Sequence, residues 1–230
     1  MLIGGLQKLS LSDFPGRLSA VVFTQGCNLR CRYCHNPTLV VPDMFDSPLR
    51  GEEVLRYLSR RRVLLRGVVI SGGEPTLQGD LADYLRSIRS LGLAIKLDTN
   101  GTRPGVLLKL IAQSLLDYVA LDVKGPPSAL GRVTASLIDP DLVCQSMLLL
   151  KDSGVRYEVR TTFSESLLDP ADLRELAEFV RPVGRLVLQG FRNVTTLDPS
   201  LKLVPDTRPE SLDAARVVLE ERSITVDIRT

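Results

Sequence analysis

The sequence predicts an α/β fold built on a parallel sheet, and three observations predict it. Short β-rich runs alternate along the chain with amphipathic helical stretches. The runs are near-continuously apolar, as strands are when helices cover both faces of a sheet. Polar and glycine-bearing motifs recur at or just past their ends. Such alternation joins parallel strands through right-handed crossovers.

The elements follow in order. Ala20-Val21-Val22-Phe23-Thr24 is the first expected strand and delivers a cysteine-rich loop at its C-terminal end. A helix is expected over 48–61, then a strand over 67–71 ending in Gly72-Gly73-Glu74-Pro75. A helix over 81–91 leads to Ala94-Ile95-Lys96-Leu97-Asp98, which ends in Thr99-Asn100-Gly101. A helix over 106–116, a strand over 118–122 and a helix over 140–152 follow, then a strand over 157–161 and a helix over 170–179. The last elements are a strand over 185–189, a helix over 209–221 and a seventh strand candidate over 224–228. Pro170 and Pro209 suit first-turn positions, where a missing N–H costs nothing.

A chain of 230 residues suits one domain, 1–230, since folding buries about 70% of the unfolded surface at this size. Hydrophobic residues make up 44%, charged residues 24%, and the net charge is +2. That balance gives no electrostatic case for nucleic acid or a membrane surface. Arg60-Arg61-Arg62, the densest basic run, reads as a solvated helix end. No apolar run reaches the ~20 residues of a membrane span. The N-terminus shows no signal-peptide pattern, so a reducing, cytoplasmic setting is expected.

The most informative stretch is Gly26-Cys27-Asn28-Leu29-Arg30-Cys31-Arg32-Tyr33-Cys34-His35-Asn36. Its C-x₃-C-x₂-C spacing lets one loop wrap three thiolates around a single iron–sulfur cube. A [4Fe–4S] cluster ordinarily takes four cysteines, so three leave one iron open to a substrate or cosubstrate. A zinc site with His35 as fourth ligand competes, although Cys34 and His35 lack the spacer that zinc ligands usually have. A disulfide does not suit a reducing compartment. Cys144 lies in an apolar helical stretch, where a buried core cysteine is the ordinary expectation.

The loop, with an aromatic residue before its third cysteine, resembles the radical S-adenosylmethionine (radical SAM) superfamily. Tyr33-Cys34-His35-Asn36-Pro37 narrows the likeness to activases of glycyl radical enzymes. Ser10-Leu11-Ser12-Asp13-Phe14-Pro15-Gly16 and Phe23-Thr24-Gln25-Gly26 resemble the activating proteins of anaerobic ribonucleoside-triphosphate reductase. The resemblance implies an open (β/α)6 partial TIM barrel. In parallel barrels, reactive groups collect at C-terminal strand ends. Cys27, Gly72–Glu74, Asp98–Asn100, Asp122, Arg160 and Gln189 all fall at or just past expected strand ends.

The resemblance also implies the cofactors, a [4Fe–4S] cluster on Cys27, Cys31 and Cys34 and S-adenosylmethionine. Gly72, Gly73 and Glu74 would receive the methionyl ammonium, with Glu74 offering a charge-assisted hydrogen bond. The glycines also permit unusual dihedrals and close approach of a ligand to the main chain. A plain strand–helix turn is the alternative. Tyr33 would contact the adenine or pack the loop, Asn36 would lie near the ribose, and His35 would brace the loop. Asp98, Thr99 and Asn100 would position ribose or carboxylate, Lys124 would pair the cosubstrate carboxylate, and Gln189 joins the cosubstrate-binding set. Asp98, Thr99 and Asp122 offer hard oxygens for a monovalent cation. A structural salt bridge competes for each acid.

The implied reaction is reductive cleavage of S-adenosylmethionine, followed by hydrogen abstraction from a glycine of a partner glycyl radical enzyme, with an electron donor such as flavodoxin or ferredoxin. Oxygen would destroy both the cluster and the product radical, so the function is anaerobic. Residues 190–208, with Arg192, Lys202 and Arg208, would close a lateral gap in the barrel or line a docking surface. Between Cys34 and the second strand no further cysteine occurs, which excludes activases with a ferredoxin-like insert there. Two other readings compete: a small-molecule enzyme resembling 7-carboxy-7-deazaguanine synthase, and a non-catalytic zinc-binding module.

Overall fold

The apolar runs become strands, and one strand that no apolar run announces precedes them. The computed structural model describes residues 1–229. Its elements are β1 (Ile3–Ser10), β2 (Ser19–Thr24), α1 (Pro37–Val40), α2 (Gly51–Arg61), β3 (Gly67–Gly72), α3 (Leu81–Ser90), β4 (Ala94–Thr99), α4 (Pro104–Ala112) and β5 (Tyr118–Asp122). Then come α5 (Leu130–Thr134), α6 (Pro140–Asp152), β6 (Arg156–Phe163), α7 (Pro170–Val180), β7 (Arg185–Gly190), α8 (Pro209–Glu220) and β8 (Thr225–Arg229).

These residues form two compact units, each drawn from three stretches of chain. The first comprises 1–28, 37–99 and 105–120; the second comprises 29–36, 100–104 and 121–229. β5 is shared between them, changing unit after Ala120.

In the first unit the strands lie side by side in chain order from β1 to β5. β2 and β3 are parallel, with Ala20 opposite Val68 and Val22 opposite Ile70, and β3 and β4 pair Ile70 with Leu97. β1 runs antiparallel to β2, so the sheet is mixed, not wholly parallel as expected. Two glycines and an exposed Gln7-Lys8-Leu9 stretch hide this edge strand from an apolar-run reading. α2 starts at Gly51, not 48, because Leu49 donates its N–H to the Ile3 carbonyl (2.8 Å) and is held extended.

Phe14, wholly buried, anchors the first unit's core with Val21, Val69 and Ala94, and Phe23 and Tyr118 pack against them. Gly67, where β3 begins, leaves room for it: a Cβ there would stand 2.7 Å from the Phe14 ring. The Asp13-Phe14-Pro15-Gly16 segment therefore serves the core at the starting end of the strands.

In the second unit the order is β5-β6-β7-β8. β6 and β7 pair Arg160 with Val187 in parallel, and β7 and β8 pair Leu186 with Val226. Each helix start is chemically marked. Asp139 caps α6, and Asp169 with Asp172 forms a reciprocal capping box on α7, with prolines in the first turns of both. Leu173, Leu176, Leu186, Leu188, Leu212 and Leu219 are buried where α7 and α8 cover the sheet. Cys144 corrects an expectation. It is half-buried, beside the α6 face formed by Val143, Ser146, Met147 and Leu150, and is no core residue. β1 and β8 are edges with one neighbour each, so the sheet is open.

Candidate active site

The first unit carries Cys27 and fixes the chain that leads to it. The Gln25 N–H donates to Leu2 O (3.0 Å), and the Gly26 N–H donates to Leu39 O (2.8 Å). The buried Gln25 amide donates to Asp46 O (2.7 Å), and Gln78 donates to Gln25 O (2.8 Å). From the far side, Glu74 N–H donates to Gly26 O and Gly73 N–H to Thr24 O, both at 2.8 Å. Buried main-chain groups thus find partners on every side, and Cys27 leaves from a fixed point.

The two glycines are explained by this seam. Gly72 has φ +108°, a backbone state that side chains rarely adopt. At Gly73 a Cβ would lie 2.1 Å from the Gly26 carbonyl oxygen. The close approach that the glycines permit is therefore by the chain itself, at the residue before Cys27.

Glu74 is 1% exposed. Its Oε1 accepts from Thr76 N–H (3.0 Å), Thr76 Oγ1 (2.5 Å) and Thr99 Oγ1 (2.7 Å), so it caps the short turn Pro75–Leu77 and straps it to the end of β4. On β4, Asp98 meets Lys96 Nζ at 2.9 Å and accepts from Ser71 Oγ at 3.1 Å.

The second unit holds the rest of the cysteine loop. Cys34 N–H donates to Cys31 O (2.9 Å), which sets both residues on one tight turn. Arg30 N–H donates to Thr134 O and Arg32 N–H to Val133 O, tying the loop to the end of α5. Arg32 Nε donates to Asp198 Oδ2 (2.6 Å), Asp198 N–H returns a bond to Arg32 O (2.9 Å), and His35 Nε2 bonds Arg192 O (2.8 Å). Residues 190–208 are thus a strap that braces the cysteine loop. His35 is a brace within it, which removes Nε2 from any zinc.

Tyr33 is buried, with Lys124 Nζ 6.0 Å from its ring centre. Its hydroxyl is buried with no hydrogen-bond partner among the protein groups. Burial pushes this phenol up, against the pull of Lys124. Asp122 takes Arg160 Nε at 2.8 Å and Lys124 Nζ at 3.4 Å. Burial disfavours its charge, but Arg160 and Lys124 outweigh that and hold the carboxyl well below the usual carboxylate range. Lys124 likewise overcomes burial through Asp122, with Tyr33 and Cys31 contributing, and stays protonated.

Asn100 closes the end of β4, its Oδ1 accepting from Thr102 N–H (3.0 Å) and Oγ1 (2.7 Å). Gln189 is half-buried on β7, next to Gly190 at the strand end. Arg160 corrects an expectation. β6 continues to Phe163, so Arg160 lies inside the strand, where its guanidinium serves Asp122. Two features escaped the sequence reading: the Arg32–Asp198 tie and the buried Lys96. A lysine in the middle of an apolar strand was a visible signal for the second. Nothing local in the sequence announces the first, whose residues stand 166 positions apart.

The donor set fits a cluster. Cys31 is buried, Cys27 and Cys34 are half-buried, and none is in a disulfide. The buried, unbonded Tyr33 hydroxyl is the kind of group a polar ligand satisfies. Among the described residues no group of three or more His, Cys, Asp or Glu side chains is arranged to hold a metal ion.

Comparison with known proteins decides the family. The Radical SAM superfamily model matches residues 21–185. The chain belongs to the radical SAM superfamily. It is 33% identical over 234 residues, 100% of its own length and 96% of the other's, to a protein of Methanocaldococcus jannaschii named as a glycyl-radical enzyme activating enzyme. It is 30% identical to the pyruvate formate-lyase-activating enzyme of Clostridium pasteurianum, covering 79% of this chain and 76% of that one. Streptococcus suis SuiB, solved bound to S-adenosylmethionine, shares the fold with a TM-score of 0.70 at 16% identity, over 91% of this chain and 50% of SuiB. The chain thus spans about half the length of that structural relative.

Radical SAM enzymes use a [4Fe–4S] cluster and S-adenosylmethionine, and this chain is such an enzyme. When bound, these cofactors supply one-electron cleavage of the sulfonium, while the protein supplies binding, orientation and electrostatics. No helix among the described residues is long and apolar enough to cross a membrane.

Proposed function

We propose that this enzyme activates a glycyl radical enzyme, with anaerobic ribonucleotide reductase as the partner, by abstracting a hydrogen from a glycine of that protein. The observation that carries this reading is the similarity to the M. jannaschii protein, which runs along 100% of this chain and 96% of that one. The intact Tyr33-Cys34-His35-Asn36-Pro37 run supports it.

In this proposal Cys27, Cys31 and Cys34 ligate the cluster. The turn Gly72–Glu74 and the end of β4 flank the methionyl group, with Glu74 acting mainly by holding that turn, since its Oε1 already accepts three donors. Tyr33, Asn36, Asn100 and Gln189 serve the nucleoside, and Lys124 serves the carboxylate. A small protein donor such as flavodoxin or ferredoxin supplies the electron, in a reducing cytoplasm.

The test is electron paramagnetic resonance. Reduced, reconstituted enzyme with S-adenosylmethionine and the reductase should give a glycyl doublet, and Cys31→Ala should abolish it. Absence of the doublet with every glycyl radical enzyme of the same genome, together with turnover of a small metabolite, overturns the reading.

A further inference from the structure

We infer that the Lys96 ammonium is the resident cation of Asp98, so that this chain needs no monovalent metal ion there. The sequence offers Asp98 and Thr99 as hard oxygen ligands, but the first unit engages them otherwise. Alternate residues of a strand share a face, which puts Lys96 and Asp98 on the same side of β4. Lys96 Nζ lies 2.9 Å from Asp98 Oδ1, and the Lys96 side chain is 2% exposed. The Tyr118 ring lies beside the ammonium, its centre 5.9 Å away. Asp98 Oδ2 accepts the Ser71 hydroxyl, and the Thr99 hydroxyl donates to Glu74.

An ammonium buried this deeply is tolerated only beside an opposite charge, and a half-buried carboxylate gains equally from it. A metal ion on Asp98 would have to stand against a positive charge already within hydrogen-bond distance of its ligand atom. Asp122, the third candidate, is likewise neutralised by protein cations, Arg160 and Lys124. Lys96 is thus a positioning residue: its ammonium, 2.9 Å from Oδ1, fixes the Asp98 carboxylate at the end of β4.

The test does not depend on the proposed partner or on cosubstrate binding. Thermal unfolding of the full-length protein is measured in sodium, potassium and tetramethylammonium chloride at equal ionic strength, for the wild type, Lys96→Met and Lys96→Arg. The wild type and Lys96→Arg should melt alike in all three salts. Lys96→Met should be destabilised in tetramethylammonium and recover, saturably, with sodium or potassium. Thallium(I) resonance should show a bound ion in Lys96→Met alone. A wild type that is saturably stabilised by sodium or potassium, or that binds thallium(I) in competition with them, overturns the inference. So does a folded Lys96→Met indifferent to the cation. Should Lys96→Met not fold, the wild-type and Lys96→Arg series decide.

Discussion

Gly73 faces the Gly26 carbonyl so closely that a methyl group there has no space. Because the obstacle is main chain and not a flexible side-chain tip, Gly73→Ala must push Gly26, and with it Cys27. Overpacking of this kind costs about 1–3 kcal/mol. The variant should melt lower and retain less iron per chain after reconstitution, and full iron content with an unchanged melt would contradict the seam. Glu74 calls for a paired design. Glu74→Ala strands the donors of Thr76 and Thr99 inside the protein, at a cost of about 1–3 kcal/mol. Glu74→Gln keeps an acceptor oxygen in place. If Glu74 acts by holding the turn, Gln should preserve the melt and most S-adenosylmethionine affinity while Ala loses both. If the charge itself binds the cosubstrate, Gln should lose affinity with little change in the melt.

At the scale of elements, legibility in the sequence followed the physics of burial. β2 to β5 were readable because both faces are covered and the residues there are apolar. β1 was not, because an edge strand with an exposed middle carries no such pattern. The strap over 190–208 was readable only as polar chain, since its role rests on tertiary bonds to Arg32 and His35. The Asp13-Phe14-Pro15-Gly16 segment, part of the family resemblance, also has a packing role, since its phenylalanine fills a core. Phe14→Ala should cost about 3–5 kcal/mol, as large buried aromatics do. It should lower stability without changing which partner is activated, as a denaturant titration and a partner assay would show.

The strap carries a pH dependence whose sign is fixed. Hydrogen bonds from Arg32 and Ser200 hold the Asp198 carboxyl down at about 2, against an ordinary value of roughly 3.9. A lowered folded value means the tie stabilises fully above the ordinary range and is lost as pH falls from about 4 toward 2. The melting difference between wild type and Asp198→Asn should therefore be constant from neutrality to about pH 4 and shrink below it. A difference that grows on acidification would contradict the assignment.

For the whole molecule, the consequential fact is how the chain is shared out. It changes unit at 28/29, 36/37, 99/100, 104/105 and 120/121, so neither unit is a contiguous stretch. The cysteine triad is split by the first of these: Cys27 belongs to one unit, and Cys31 and Cys34 to the other. Loss of structure in either unit therefore frees residues whose neighbours in sequence belong to the other. A chain cut after Ala120 would also divide β5 and leave 121–230 without the loop that its own strap and α5 hold through Arg30, Arg32 and His35. If the 230 residues behave as one domain, unfolding should be a single cooperative transition, with far-ultraviolet dichroism and tyrosine fluorescence changing together. The fragments 1–120 and 121–230, expressed separately, should each fail to show such a transition. Two resolved transitions in the intact chain, or a cooperatively folded 121–230 fragment, would show instead that the units are independent and that the cysteine loop is an appendage shared between them.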